Sequence, residues 1–371
     1  MINMNNLIMK TSDWLICLRN DSRPRELIIE ISTYCNYACI HCFRYGAKDF
    51  KQCFMSKDLF TKIINEAERV SVRRIIFSGW GEPTTHPSFM EFYRETKSRG
   101  FEVVLNTNGY RLDTYSEELV KTELDELYVS IDAIDVELYS RIRRLGDLTI
   151  VSKGLLAVRE AKKRLGFMKP IVKAIFTVNK LNVREIPKIV SYAKDMGISE
   201  VILSYYIPYQ GGRLDIDCLG DMGCREIFRE KLNELALRSL ETGVKITKPN
   251  INPSTTRSCP FAFNRALFIR CDGKVNPCIY YSRTWETKIL GIKRRIREVV
   301  IGDVLSDDLM DLWRKNASLF LKLYFLSLPS CLDCELQDFC HLTMSNDSDC
   351  WGNQPSCAHC PYLHELSYCP V

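Results

Sequence analysis

The chain has 371 residues, of which 46% are hydrophobic and 26% charged, and its formal net charge at pH 7 is +5. These proportions are typical of a globular protein and exclude a disordered or fibrous chain, and the length suits two domains. The slight positive charge does not indicate a nucleic-acid surface, and no apolar run reaches the roughly 18 residues of a membrane span. The N-terminus lacks the pattern of a secretory signal. We therefore expect a cytoplasmic protein without a nucleic-acid or membrane partner.

Strand-like and helix-like segments alternate between residues 25 and 206. Strands are predicted at 26–31, 74–78, 102–106, 127–132, 171–178 and 200–205, and helices at 58–70, 88–98, 115–122, 152–164 and 184–196. Alternation with short loops predicts an α/β fold with a parallel sheet and right-handed crossovers. Six units are too few for a closed eight-unit barrel. The predicted fold of 25–206 is therefore a partial, TIM-type barrel of six units, (β/α)6.

The other segments have less regular patterns. Residues 1–24 carry no motif that we can interpret, and 207–258 form a bridging region with a predicted helix at 222–241 and a strand at 244–246. Residues 267–275 predict a β-hairpin, because Asp272 and Gly273 form a favoured turn pair. This hairpin belongs to a cysteine-rich C-terminal domain, 259–371.

The 17 cysteines are concentrated in two places. Three lie within residues 35–42, and ten lie between Cys259 and Cys369. Disulfide frameworks belong to short secreted chains, so this distribution favours metal binding. The remaining four are expected to be free thiols: Cys17, Cys53, Cys218 and Cys224.

The N-terminal group, Cys35, Cys39 and Cys42, can wrap one compact inorganic core and leaves it one ligand short. Structural zinc sites use four ligands, whereas a 4Fe–4S cube held by three cysteinates keeps one iron open. With His41 before the third cysteine, this spacing resembles that of the radical S-adenosylmethionine (radical SAM) enzymes. The resemblance implies that a reduced 4Fe–4S cluster cleaves S-adenosylmethionine (SAM) to methionine and a 5′-deoxyadenosyl radical, which abstracts a hydrogen from an unactivated carbon.

Polar residues follow several of the predicted strands, where parallel α/β proteins carry their chemistry. Gly79-Trp80-Gly81-Glu82 could let the backbone approach a ligand beside an anionic acceptor, or form an ordinary turn. In the family, a Gly-Gly-Glu-Pro stretch here bonds the SAM amino group, and Trp80 departs from that pattern. Asn106 and Asn108 are polar amides at the next strand end. The resemblance further assigns Ser130 and Asp132 to the ribose or methionine part of SAM and Arg143 to its carboxylate; the alternatives are a turn and a solvated helix charge.

The C-terminal cysteines resemble the SPASM extension of radical SAM enzymes, which carries auxiliary 4Fe–4S clusters. The resemblance fails at Met344, where a cysteine is expected. The candidate ligands of one or two auxiliary clusters are Cys259, Cys278, Cys331, Cys334, Cys340, Cys350, Cys357, Cys360 and Cys369. Residues 330–371 contain six acidic side chains and no Lys or Arg, which predicts a low reduction potential unless the fold brings in cations.

The resemblance to SPASM enzymes implies a maturase that acts on a peptide, a protein or a metallo-cofactor, with ferredoxin or flavodoxin as electron donor. Gly79 to Pro83 and the tail from Asp349 to Cys357 resemble maturases of tungsten-cofactor oxidoreductases. The main alternative is a peptide-modifying enzyme that cross-links, epimerises or oxidises side chains. An alternative of another class is a zinc-binding scaffold without turnover. No catalytic residue is assigned.

Overall fold

The central strands are short and apolar, and most of their side chains are buried. The computed structural model describes residues 7–10, 12–13, 15–18, 22–47, 50–209, 211–254, 258–325 and 327–368. Leu27, Ile75 and Val103, on three neighbouring strands, are fully buried, as expected where a parallel sheet is covered on both faces. The strands are β1 (Leu7–Lys10), β2 (Leu15–Leu18), β3 (Glu26–Ile29), β4 (Arg74–Phe77), β5 (Glu102–Thr107), β6 (Glu126–Ser130), β7 (Ile171–Val178), β8 (Glu200–Tyr205), β9 (Lys245–Thr247), β10 (Ala266–Ile269), β11 (Lys274–Asn276), β12 (Trp285–Ile289), β13 (Ile292–Ile296) and β14 (Gly302–Asp303).

The helices that cover the sheet are amphipathic and capped. In the first of them, Leu59, Phe60, Ile63, Ile64 and Ala67 form one buried face, and the hydroxyl of Ser56 accepts a hydrogen bond from the Leu59 N–H at its N-terminus. The helices are α1 (Lys57–Arg69), α2 (Phe89–Ser98), α3 (Leu112–Lys121), α4 (Val136–Ile142), α5 (Leu148–Leu165), α6 (Lys188–Met196), α7 (Met222–Thr242), α8 (Pro260–Phe263) and α9 (Leu309–Tyr324). None of these described helices is both long and apolar enough to cross a membrane.

The sheet confirms the predicted partial barrel and extends it. Strands β3 to β8 are parallel neighbours in chain order, within a ten-stranded order β14-β11-β10-β3-β4-β5-β6-β7-β8-β9. Strand β9, from the bridging region, pairs in parallel with β8. Strand β10, from the cysteine-rich domain, pairs in parallel with β3. The predicted hairpin is also confirmed, since β10 and β11 pair antiparallel. An exposed edge strand invites unwanted pairing, and here the two later segments cover both edges of the six-stranded core.

Three of the four cysteines that we expected to be free are in disulfides. Cys53 pairs with Cys271, 218 residues away along the chain, and Cys218 pairs with Cys224. The expectation was wrong for these residues. The first bond depends on the β3–β10 pairing, which brings distant segments together and leaves no signal in local spacing. The second joins residues on either side of the N-cap of α7, Asp221.

Candidate active site

A cavity of about 260 Å³ lies at the carboxyl ends of the parallel strands. It brings together eleven of the residues predicted from sequence: Cys35, Cys39, Cys42, Gly79, Trp80, Gly81, Glu82, Asn106, Asn108, Ser130 and Arg143. Asp132, the twelfth candidate around this site, lies behind the lining. Segments that are far apart in sequence therefore converge on one site, as the strand order predicts.

The three thiols of the N-terminal loop share one wall of the cavity and are in mutual electrostatic reach. Burial raises the pKa of Cys39 to about 12, and Cys42 and Cys35 add to this shift while Arg143 opposes it. All three cysteines are free of disulfides. Neutral buried thiols become ligands only by releasing their protons to a metal centre with strong thiolate affinity. Three such groups suit an iron–sulfur cluster with one open iron.

The two glycines of the 78–83 loop are needed because other parts of the chain lie against them. A Cβ on Gly79 would stand 2.5 Å from Cγ of Glu30, and one on Gly81 would stand 2.4 Å from the backbone oxygen of Ser32. The Glu82 N–H also donates to the Tyr34 carbonyl oxygen at 2.7 Å. The two glycines therefore allow this loop to pack closely against the chain that leads into the cysteine loop. From the sequence, we had expected them to allow the backbone to approach a ligand.

The Glu82 carboxylate is buried and already has four donors from the protein. Oε1 accepts from the N–H and hydroxyl of Thr84 and from the hydroxyl of Thr107. Oε2 accepts from the Asn108 N–H at 2.6 Å. Burial raises the pKa of Glu82, and these donors oppose that shift because they favour the ionised form. Glu82 therefore joins the second strand end to the third at the cavity wall.

Trp80, the departure from the family pattern, connects this loop to the C-terminal domain. Its N–H donates to Glu30 and its indole N–H donates to the hydroxyl of Ser282, at 2.8 and 2.9 Å. The ring packs against Phe43 with centroids 4.6 Å apart, and the guanidinium of Arg283 lies 5.3 Å from its centroid. Trp80 is therefore a structural anchor between the 78–83 loop and a segment some 200 residues later.

The two asparagines at the end of β5 have different partners. Asn106 donates to the hydroxyl of Ser78 at 3.0 Å, and its carbonyl Oδ1 is buried without a partner. Asn108 donates to Asn36 at 2.8 Å and to the sulfur of Cys35 at 3.9 Å. An N–H···S contact stabilises a thiolate ligand and tunes a cluster bound to it.

Arg143 and Asp132 form a buried ion pair beside the thiols. Arg143 Nη1 lies 2.6 Å from Asp132 Oδ2, and Asp132 Oδ1 accepts from the Thr177 N–H at 2.7 Å. His41 Nε2 lies 3.4 Å from the same carboxylate. Burial raises the pKa of Asp132, but Arg143 and His41 outweigh it and hold that pKa below its usual range. Asp132 is thus committed to orienting Arg143, which faces the cavity.

Sequence reasoning missed the wall that the later parts of the chain supply. Ser204 and Ser367 share a hydrogen bond of 2.7 Å, and the Tyr205 N–H donates to the Leu366 carbonyl. These contacts bring the C-terminal segment over the end of β8. The additional lining residues are His41, Phe43, Ser78, Thr107, Ile175, Thr177, Ser204, Tyr205, Tyr206, Ile207, Ile279, Tyr362, Ser367 and Tyr368. Tyr205 and Tyr206 could be suspected as strand-end residues, but the C-terminal ones carry no motif.

The polar atoms of the cavity fit SAM. Asn106 Oδ1 and Arg143 Nε are buried without hydrogen-bond partners. A buried polar atom without a partner is costly. SAM carries a carboxylate, an ammonium group and an adenosine with several donors and acceptors, so it can supply partners of each kind.

The C-terminal thiols divide into two groups, which the sequence left unassigned. Burial raises the pKa of Cys357, and Cys360, Cys278 and Cys259 add to the shift, so these four are neighbours. A separate group forms around Cys331.

In this second group, burial raises the pKa of Cys331 to about 12, and Cys350 and Cys340 add to the shift. Cys334 follows Cys331 by three positions. Cys369 lies outside the described residues. Among the residues that are described, no three His, Cys, Asp or Glu side chains are gathered to hold a single metal ion. Thiols that each bind a different corner of a cube stand farther apart than ligands of one zinc ion.

Comparison with known proteins gives relatives over nearly the whole chain. Residues 29–193 match the radical SAM superfamily and residues 259–335 match the SPASM iron–sulfur cluster-binding domain. The chain is 31% identical over 354 residues to the tungsten-containing aldehyde ferredoxin oxidoreductase cofactor-modifying protein of Pyrococcus furiosus, covering 94% of this chain and 97% of that protein. A probable GTP 3′,8-cyclase of Sulfurisphaera tokodaii is 25% identical over 294 residues, covering 76% of this chain and 86% of the relative.

Two solved structures share the fold. Streptococcus suis SuiB bound to SAM superimposes with a TM-score of 0.61 at 17% identity, covering 86% of this chain and 73% of that chain. The protein anSMEcpe with bound AdoMet gives a TM-score of 0.62 at 17% identity, covering 92% of both chains.

A mostly parallel sheet with a three-thiol loop and a second cysteine-rich domain defines a SAM-dependent iron–sulfur enzyme. The chain belongs to the radical SAM family and carries a SPASM domain. It therefore uses a 4Fe–4S cluster with SAM and has auxiliary iron–sulfur clusters, and the hypothesis of a zinc scaffold is set aside.

Proposed function

We propose that this enzyme modifies the cofactor of a tungsten-containing oxidoreductase. The observation that carries the proposal is the similarity to the Pyrococcus furiosus cofactor-modifying protein, which runs through both cysteine-bearing domains. The tail from Asp349 to Cys357, which suggested the same subfamily, supports it further. Its carboxylate Asp349 accepts from Asn353 and Ser356 and so holds the turn that presents Cys350 and Cys357.

In this proposal Cys35, Cys39 and Cys42 hold the 4Fe–4S cluster, which supplies one-electron cleavage of SAM when bound. The backbone of Gly79 to Glu82 binds the SAM ammonium group, beside the carboxyl group of Glu82. Arg143 binds the SAM carboxylate, and Asp132 orients Arg143 through their buried ion pair. Asn106 and Ser130, which line the cavity, bind the ribose or the methionine part. The close-packed walls exclude water from the reacting atoms.

The two groups of C-terminal thiols are proposed as the ligands of two auxiliary 4Fe–4S clusters. The first set is Cys259, Cys278, Cys357 and Cys360, and the second set is Cys331, Cys334, Cys340 and Cys350. The SPASM resemblance expects a cysteine at position 344, where this chain has Met344. In the first set, Cys357 and Cys360 supply ligands instead. Cys278 precedes Ile279 and Cys360 precedes Tyr362 by two positions, and both of these residues line the cavity. The first auxiliary cluster would then lie directly behind the part of the cavity lining that Ile279 and Tyr362 form.

We also propose ferredoxin or flavodoxin as the electron donor. The net charge of +5 favours association with an acidic carrier at low ionic strength. Raising the salt concentration should then slow reduction of the enzyme by the carrier but not by dithionite. Equal salt dependence with both reductants would contradict a charged docking surface.

Alanine variants of the N-terminal cysteines test the cluster assignment. Cys35→Ala, Cys39→Ala and Cys42→Ala should each abolish 5′-deoxyadenosine formation, because a loop with two ligands cannot keep the cluster. Circular dichroism should remain that of a folded protein, since the sheet core does not depend on the loop. Cys17→Ala, in β2, is the control. Retained 5′-deoxyadenosine in any of the three variants contradicts the assignment.

The substrate is tested by supplying candidates side by side. The anaerobic, cluster-loaded enzyme is incubated with SAM, dithionite and one of three substrates: a tungsten-containing aldehyde ferredoxin oxidoreductase with its cofactor, GTP, or a short ribosomal peptide. We expect 5′-deoxyadenosine to rise above the substrate-free rate, with a mass change in the cofactor, only in the first mixture. A modified peptide would establish the alternative, peptide maturation. A modified GTP would point to a cyclase.

A further inference from the structure

A buried arginine lies inside the cysteine-rich domain. Arg294 is on β13 and is 1% exposed, whereas Lys293 and Arg295 on either side of it are exposed. Alternate residues of a strand point to opposite faces. The basic run between Lys288 and Arg297 therefore sends one of its cations inward.

Arg294 has no counter-ion among the described residues. Its Nη1 donates to the carbonyl oxygens of Ile289 and Ile292, at 2.9 and 3.4 Å. Its Nε and Nη2 are buried without a hydrogen-bond partner. Burial lowers the pKa of Arg294, and the groups that oppose this are Tyr280 and Cys331, with no carboxylate among them. An arginine keeps its proton even so.

A buried positive charge without a partner is expensive, so a negative charge is needed beside it. The second cysteine set meets this need. The charge of Arg294 lowers the pKa of Cys331, which belongs to this set. Arg294 also acts on Tyr280, and Tyr280 is close to Cys360 and Cys278 of the first set.

Backbone geometry agrees, because Arg295 on β13 pairs with Ser345, five positions after Cys340. The strand that carries Arg294 therefore lies against the second set. Four cysteinates outweigh the charge of a 4Fe–4S core, and one-electron reduction makes the assembled cluster more negative.

We propose that Arg294 is the counter-ion of the auxiliary cluster held by Cys331, Cys334, Cys340 and Cys350. Its Nε–H and Nη2–H, which have no partner in the described part of the chain, would be the donors available to that cluster. A fixed cation beside the cluster stabilises the reduced state more than the oxidised state and so raises the reduction potential. This reverses the low potential that the acidic sequence of 330–371 predicts, because the fold brings in a cation from β13. The inference rests on the proposed ligand set.

Potentiometry of the full-length chain tests this role. The parent protein carries Cys35→Ala, Cys39→Ala and Cys42→Ala, so that its electron paramagnetic resonance signals come from the C-terminal clusters. It is loaded with iron and sulfide anaerobically and titrated with dithionite. Arg294→Gln removes the charge and keeps N–H donors, Arg294→Lys keeps the charge, and Arg295→Gln is the exposed control on the same strand.

We expect Arg294→Gln to shift one of the auxiliary reduction equilibria at least tenfold toward the oxidised state, which is about 59 mV lower for one electron. Arg294→Lys and Arg295→Gln should stay within threefold of the parent. Full iron content with an unchanged potential in Arg294→Gln would overturn the inference.

Two further outcomes also decide the matter. If Arg294→Gln loads less iron, recovery of the iron in Arg294→Lys supports the counter-ion role. Equal loss in both variants shows a packing role and overturns it. A parent protein that binds no iron in its C-terminal domain refutes the ligand sets themselves, which distinguishes failure of the proposed sites from failure of Arg294 within an intact site.

Discussion

At the scale of single residues, the site is built from side chains that bind one another before they bind any ligand. Glu82 is held by four donors, and Asp132 holds Arg143 and accepts from the Thr177 N–H. Such pre-organisation fixes the polar groups of a cavity in advance, so that binding does not have to order them. The consequence is that conservative changes at these residues should affect SAM binding through geometry.

Replacing Glu82 by glutamine should show this effect. A glutamine side chain has one acceptor oxygen where glutamate has two. Its NH2 group would therefore take the place of an acceptor oxygen and face a donor, for example the Asn108 N–H, and that hydrogen bond would be lost. We expect a loss of stability of about 1–3 kcal/mol and weaker SAM binding, measured by denaturant unfolding and by equilibrium dialysis. Glu91→Gln on the exposed face of α2 is the matched control. A variant as stable and as tightly binding as the wild type would show that the carboxylate is not needed to hold the loop.

At the scale of elements, the 78–83 loop and the cysteine loop meet with no space between their backbones. Because a Cβ on Gly81 would lie 2.4 Å from the oxygen of Ser32, Gly81→Ala must push the two loops apart. Overpacking of this kind costs about 1–3 kcal/mol. We expect both a lower melting temperature and weaker SAM binding. Gly223→Ala in α7, where the nearest atom is 3.4 Å away, should be neutral or slightly stabilising. Weaker binding at unchanged stability would restore the earlier interpretation, that this glycine makes room for a ligand.

The six parallel strands of the core lie within a few residues of their predicted positions, and six of the nine described helices were predicted, because apolar periodicity is a local signal. The short helices α4 and α8 were missed because four to seven residues hold too little of a helical pattern. The longer α9 (Leu309–Tyr324) was missed because the predictions for the C-terminal domain rested on its cysteines, and the strands β1, β2, β12, β13 and β14 were not predicted. Cysteine spacing identified the three-thiol loop. The roles of Trp80 and of Arg294 could not be predicted, since both depend on residues that only the folded chain brings near.

At the scale of the whole molecule, the C-terminal domain is part of the barrel and of the cavity. It supplies β10 to the sheet, Ser282 to Trp80, and Ile279 and Tyr362 to the cavity lining. The two proposed auxiliary sites therefore differ in their distance from the chemistry. The first set adjoins the cavity wall through Ile279 and Tyr362, whereas no residue within two positions of a second-set cysteine is in the described lining.

This difference predicts unequal effects of cysteine substitution. Cys331→Ala combined with Cys334→Ala should lower the iron content and product formation but leave most SAM cleavage. Cys278→Ala combined with Cys360→Ala should lower SAM cleavage as well, because Ile279 and Tyr362 lose their support. Measuring 5′-deoxyadenosine and product in parallel gives both rates. If the Cys331→Ala, Cys334→Ala variant lost SAM cleavage and product formation in the same proportion, as the other double variant is expected to, the second set would only stabilise the fold.

The pairing of β3 with β10 also bears on how the protein is made. The ribosome completes β3 and the cysteine loop early, but β10 emerges only after the chain from Ile29 to Ala266 has been synthesised, which takes roughly 10–50 s at ordinary rates. During that time one edge of β3 stays open, and the three thiols that follow it have no C-terminal wall over them. The nascent chain thus offers a limited period in which an iron–sulfur carrier can reach these cysteines directly, before β10 docks and Ser367 and Tyr368 close over the site.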